Sequence, residues 1–196
     1  MHRWTWFLAV MASASVAHAD EISEGQVCFG KTGPTDIRTV ARAANEILDN
    51  GSKVREVGRC RLVESKDVFE GPQIEVWDGT RLVVVFTSCA GEILVRGVTD
   101  GVFDTSRRSI QVGDRADVLA KNAGLACRRV DTRDADGVET RSAVRCYHHD
   151  GTYDPYLTYE VPATVSTSYS DRVRGPAARK LVMGKRITRI TRGFCD

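Results

Sequence analysis

Histidine is scarce in this chain of 196 residues: of four, only His148 and His149 lie beyond the first nineteen. Adjacent residues on a strand point to opposite faces, so this pair cannot together chelate one ion. No metal ligand is therefore assigned. No Gly-x-Ser-x-Gly elbow is present for a serine nucleophile, and no glycine loop is built to cradle phosphate. After residue 19 no stretch approaches the ~20 apolar residues that span a bilayer, so a soluble protein without stable membrane insertion is expected. Lysine is also sparse, 6 against 22 arginines, a bias common in GC-rich genomes.

What is present begins with an export signal. His2 and Arg3 precede an apolar stretch from Trp4 to Val16, and Ala17-His18-Ala19 offers a small-x-small cleavage site before Asp20. Residues 1–19 are read as a signal peptide and 20–196 as one compact domain, with 100–108 the place where it would divide. All six cysteines (Cys28, Cys60, Cys89, Cys127, Cys146 and Cys195) lie beyond the signal. An even set in an exported chain predicts up to three disulfides in an oxidising compartment. The periplasm is the expected location, with secretion the alternative. Asn50-Gly51-Ser52 would accept a glycan only in a eukaryote.

The first helix follows Pro34. Thr35 is its expected cap, Ile37, Val40, Ala41, Ala44, Ile47 and Leu48 form its apolar stripe, and Asn50-Gly51 its stop. Strands are expected at Val57–Val63, then at Ile74–Trp77 and Thr80–Phe86 around an Asp78-Gly79 turn, then at Glu92–Val98. In the second half a short strand ends at Gly113, Asp114 caps a second helix, and Asp117 adds acidic charge in its first turn. Gly124 ends that helix. Cys127–Asp131 and Val138–Tyr147 form a hairpin around Asp136-Gly137, and Tyr156–Val161 and Arg186–Ile190 complete the strands. The stretch from Pro162 to Pro176 is read as a loop or ragged strand pair. The fold class is α+β, with antiparallel sheet and two amphipathic helices, stabilised by disulfides. Two related halves, or one continuous sheet with both helices on one face, satisfy this order equally.

A two-residue turn at Asp136-Gly137 pairs Ala135 with Val138, and counting back along both arms brings Cys127 opposite Cys146. The count puts them at a hydrogen-bonded pair, where the wider Cα separation suits a disulfide less well unless a bulge or longer turn intervenes. Cys28–Cys60 and Cys89–Cys195 are the simplest completion among fifteen pairings.

Asp131, Asp134, Asp136 and Gly137 superficially suggest a calcium loop, but its register puts Thr132 and Ala143 at the first and last ligand positions. A Cys89–His148 thiolate–imidazole pair conflicts with an even, oxidised cysteine set. No catalytic residue and no cofactor is assigned, and an enzyme is not expected. The segment from Tyr147 to Tyr159 holds four of the chain's five tyrosines. Tyrosine gives large contact area at low entropic cost, so Tyr147, His148, His149, Tyr153, Asp154 and Tyr156 are the partner-binding candidates. From Asp171 to Arg192 eight basic residues accompany one acidic residue; such a run suits an anionic partner or a solvated strand face.

Ile110-Gln111-Val112-Gly113-Asp114-Arg115-Ala116-Asp117-Val118 resembles the strand-to-helix entry of small periplasmic α+β proteins: the β-lactamase-inhibitor-protein-like fold and outer-membrane assembly accessory lipoproteins. Gly184-Lys185-Arg186-Ile187-Thr188-Arg189-Ile190 is similar to their final strand. Arg115 replaces the usual Ser/Thr, and no lipidated cysteine is present. The resemblance implies a non-catalytic protein that binds proteins and carries over no site residue. The expectation is an inhibitor or immunity protein against an envelope-targeting hydrolase or toxin, with no nucleic-acid partner. The alternatives are a cell-wall or glycan-active hydrolase using carboxylates, and an envelope assembly or stress factor.

Overall fold

A computed structural model describes residues 25–30, 33–67, 71–88, 90–98, 110–121, 124–133, 139–148, 157–164 and 172–193. The expected signal peptide, Ser109, the Asp136-Gly137 turn, Cys89 and Cys195 lie outside them.

The chain opens with a two-stranded hairpin, β1 (Gln26–Gly30) and β2 (Gly33–Asp36). Its pairing shifts between Val27 and Gly30, where Cys28 takes φ 54. That left-handed backbone costs a non-glycine residue about 1–3 kcal/mol and persists only where its surroundings fix it. Here burial and a disulfide to Cys60 do so.

Helix α1 (Ile37–Asn50) follows directly. Its cap is Asp36, not Thr35: the Asp36 carboxylate accepts from the Arg38 N–H at 3.1 Å, while Thr35 is engaged in β2 opposite Val27. Gly51 ends the helix at φ 63, its N–H reaching the Ile47 carbonyl at 3.0 Å.

Among the described residues ten further strands form one antiparallel sheet. The expected strand Val57–Val63 is strand at Val57 and from Cys60 on, but a tight turn interrupts it: β3 (Glu56–Val57) and β4 (Cys60–Asp67) flank Gly58-Arg59, with Gly58 at φ 59. A Cβ at Gly58 would lie 2.3 Å from Thr35 Oγ1, so the turn also needs a residue without a side chain. Strands β5 (Gly71–Asp78) and β6 (Arg81–Thr87) form the next hairpin, but its turn residues are Gly79-Thr80. A register shift beyond Val76↔Val84 absorbs the one-residue difference, and Gly79 at φ 60 supplies the left-handed turn position. Strand β7 (Ala90–Ile93) is shorter than the expected Glu92–Val98 and begins earlier, because the chain turns through Gly97 at φ 98.

The second half departs most from expectation. Residues 110–115 form no strand beyond an isolated bridge, Arg115↔Arg186, and Ala116–Lys121 is a 3₁₀ helix. Asp114 does not cap it; its carboxylate accepts from the Gln111 N–H and pairs with Arg96. The Asp117 carboxylate likewise serves elsewhere, accepting the Gly184 N–H at 2.7 Å. Strands β8 (Leu125–Arg133), β9 (Glu139–His148) and β10 (Leu157–Pro162) follow. The short β11 (Val173–Arg174) then leads into α2 (Gly175–Val182), a helix in the stretch read as loop and its continuation. The final strand β12 is Arg189–Gly193, later than Arg186–Ile190.

Across the sheet the order is β11-β8-β9-β10-β12-β7-β6-β5-β4-β3. A four-strand meander, β4-β5-β6-β7, and a second set, β8-β9-β10-β12, in which the chain crosses back to β11 and α2 before β12, meet edge to edge at β12–β7. The strands form one continuous sheet with α1 and α2 on one face, although α2 is not the helix expected after Asp114, where the 3₁₀ helix stands. Side-chain alternation and register define that face: Cys60, Leu62, Ile74, Val76, Val84, Phe86, Ile93, Ile190, Tyr159, Val161, Cys146 and Cys127 share it. All twelve join one hydrophobic core with Ile37, Val40, Ala44 and Ile47 of α1 and Ala178 and Val182 of α2. Among the described residues no helix is long and apolar enough to cross a membrane.

The two disulfides among the described residues fasten opposite ends of this core. Cys28–Cys60 ties the first hairpin to β4, and Cys127–Cys146 bridges β8 to β9 with Cys127 Sγ 4.0 Å from the Ala178 carbonyl of α2. The expected pairing of Cys127 with Cys146 holds. Their Cα atoms are 4.1 Å apart, the narrow spacing of a non-hydrogen-bonded pair. A register shift between Thr132 and Arg133 changes the alternation counted from a two-residue turn.

Candidate functional site

The opposite face of the sheet has a different composition. Alternation puts Arg61, Val63, Glu75, Trp77, Val85, Glu92, Arg189, Thr191, Glu160, Thr158, Arg145, Tyr147, Arg128 and Ala126 there. Val85, Ala126 and Tyr147 are buried, yet none of them belongs to the hydrophobic core.

At its centre lies a ladder of ion pairs running across four strands. Glu160 on β10 stands directly between Arg145 on β9 and Arg189 on β12. Arg145 donates from two guanidinium nitrogens to Glu160 Oε1, at 2.9 and 2.8 Å. Arg189 Nε lies 3.8 Å from Glu160 Oε2, and its other arm donates to Glu92 on β7. The Glu160 side chain is 1% exposed, so its charge depends on these guanidiniums for compensation. Its backbone carbonyl accepts from both the N–H and the hydroxyl of Thr188, which fixes the strand on the other side.

Two arginine–aromatic stacks flank the ladder. Near one end the Arg61 guanidinium sits 5.9 Å from the Trp77 ring centroid, and the indole N–H donates to Glu75 at 2.9 Å. Glu75 also accepts from Ser65, itself a hydrogen-bond acceptor from Gln73. At the other end the Arg172 guanidinium lies 4.9 Å over the Tyr147 ring. Ala126, directly opposite Tyr147, is too small to obstruct it.

The partner-binding candidates distribute unevenly. Tyr147 is on this face, 7% exposed beneath Arg172. His148 ends β9. His149, Tyr153, Asp154 and Tyr156 lie outside the described residues. Tyr159, from the same tyrosine-rich segment, belongs to the hydrophobic core on the other face. Asp131, from the superficial calcium loop, accepts instead from Arg129 and Ser142. Among the described residues no group of three or more metal-ligating side chains converges.

The basic run near the C-terminus separates by role. Lys185 donates to the Pro162 carbonyl at 2.8 Å, and burial lowers its pKa. Arg186 donates to the Gly113 carbonyl, Arg189 joins the ladder, and Arg172 stacks on Tyr147. The ladder and the Trp77 stack were missed at the level of sequence. Alternation along β9 and β10 contains the signal, since Arg145 shares a face with Tyr147 and Glu160 with Thr158, but only cross-strand register joins the two pairs. No family model, no curated protein and no solved structure matches this chain.

Proposed function

We propose that this chain is an exported, non-catalytic protein of the bacterial periplasm that binds another protein through the charged face of its sheet. An inhibitor or immunity protein against an envelope-targeting hydrolase or toxin is the form that suits it best. The observation carrying this reading is the division of labour between faces. Both helices and the hydrophobic core occupy one side, while the other combines aromatic rings, stacked arginines and a fixed ion-pair ladder. Aromatic residues and arginine are enriched in the energetic centres of protein interfaces, and a rigid sheet presents them with little ordering cost. Two disulfides within the described residues favour an oxidising compartment.

The test is affinity capture from periplasmic extract with the mature, oxidised protein, followed by direct binding of the captured protein after purification. The expected result is a one-to-one complex that Trp77→Ala weakens by roughly tenfold or more. Cleavage of peptidoglycan by the purified chain, abolished by a single Asp or Glu substitution, would overturn the reading in favour of a carboxylate hydrolase.

A further inference from the structure

The charged face is not electrically even. At its β11 end Arg174 stands opposite Ala126, which stands opposite Tyr147, so Arg174 shares this face. Arg172, two residues earlier, places its guanidinium over the same tyrosine. Arg128 lies on the same face of the neighbouring strand, opposite Arg145. Arg128, Arg172 and Arg174 are all exposed, and none forms an ion pair among the described residues. Strand geometry sets the backbones of neighbouring members about 5–7 Å apart, with Arg128 and Arg174 diagonal at roughly 8 Å. Among the described residues the carboxylate on the next strand but one, Glu160, is buried and held by Arg145. Arg174 does not cap α2 with its side chain either.

We infer that Arg128, Arg172 and Arg174 form a docking corner for carboxylates on an acidic protein surface. Guanidinium forks match carboxylates bidentately, and mutually repelling arginines gain most when an anion arrives between them. A protein suits this corner better than a uniform polyanion. Further along the same face the arginines are matched by carboxylates, Arg189 by Glu92 and Arg145 by Glu160, so a uniform run of phosphate or sulfate finds unmatched guanidiniums only at this corner, whereas a folded partner can place acidic groups only where arginines wait. This inference rests on the proposed protein-binding role and specifies the partner's chemistry.

The probe is a phage-displayed library of random peptides, panned at low ionic strength on the mature oxidised protein. The selected peptides should be enriched in Asp and Glu and should elute as salt rises. Recovery should fall roughly tenfold or more on an R128A/R172A/R174A variant with both disulfides intact. An R38A/R42A variant, which removes positive charge from the exposed side of α1, should retain it. Selection without acidic enrichment, or equal recovery on the triple variant, would overturn the inference. So would binding to heparin or phosphatidylglycerol vesicles that the triple variant loses while no acidic peptide is selected. A captured periplasmic protein that needs Trp77 but ignores the triple variant would remove the acidic corner and leave the binding role standing. Failure of both the panning and the capture would remove both.

Discussion

Arg145 and Glu160 are direct neighbours on adjacent strands, joined by two guanidinium hydrogen bonds to a single carboxylate oxygen on the side of the sheet away from the core. Glu160→Gln would leave Arg145 and Arg189 facing a neutral amide. Breaking a fully buried pair from one side costs about 3–5 kcal/mol. Both arginines are about a fifth exposed, so water offsets part of that and we expect about 2–3 kcal/mol. Urea denaturation of the two proteins would measure it, and a difference below about 0.5 kcal/mol would show that the ladder is not structural.

Disulfide mapping of the unreduced protein should return Cys28–Cys60 and Cys127–Cys146. Cys89–Cys195 should accompany them, because Ala90 and Gly193, close in sequence to these cysteines, are paired between β7 and β12. Replacing Cys127 and Cys146 together by alanine opens a 19-residue separation and should cost roughly 3 kcal/mol. Free thiols at any of the six positions in correctly localised protein would contradict this.

Asp117 holds the 3₁₀ helix to the turn after α2. The Gly184 N–H is the chief cause that lowers its pKa below the ordinary 3.8, with Arg115 adding to it against a smaller opposing effect of burial. A carboxylate with a depressed folded pKa stabilises the protein above its unfolded pKa, and that contribution is lost as pH falls through the folded value. Wild type should therefore lose stability on acidification below about pH 4 more steeply than Asp117→Asn. Parallel acid titrations followed by circular dichroism would decide it, and identical profiles would count against the tether.

How much of this was legible beforehand depends on the range of the interaction. The α1 stripe, its Gly51 stop and the Cys127–Cys146 pairing follow from local periodicity and hairpin counting. The N-cap moved from Thr35 to Asp36 because strand pairing with Val27 claims Thr35. The helix expected after Asp114 is present as the short 3₁₀ helix Ala116–Lys121, but without the expected cap, because Asp114 and Asp117 bond to the Arg96, Gln111 and Gly184 groups instead. Helix α2 escaped notice since only two of its residues, Ala178 and Val182, are buried, too few to make a periodic stripe. The ladder was invisible for a further reason: Glu92, Arg145, Glu160 and Arg189 come from four strands and meet only through register.

Gly25 tests the packing of the first hairpin against the chain after β7. A Cβ there would lie 2.5 Å from the Gly97 carbonyl oxygen and 2.6 Å from the Val98 Cα, both backbone atoms that cannot rotate away. Gly25→Ala should therefore destabilise by about 1–3 kcal/mol. A thermal midpoint equal to that of wild type would show that this approach is not as close.

The charged face as the binding surface is the claim on which the account turns, and one comparison of affinities tests it most directly. Titration calorimetry of the purified partner would be run against Trp77→Ala, on the charged face, and against Met183→Ala, an exposed residue just beyond α2. The account predicts roughly tenfold or greater weakening for Trp77→Ala and no more than about twofold for Met183→Ala. Unchanged affinity for Trp77→Ala, with the loss falling on Met183→Ala, would contradict it.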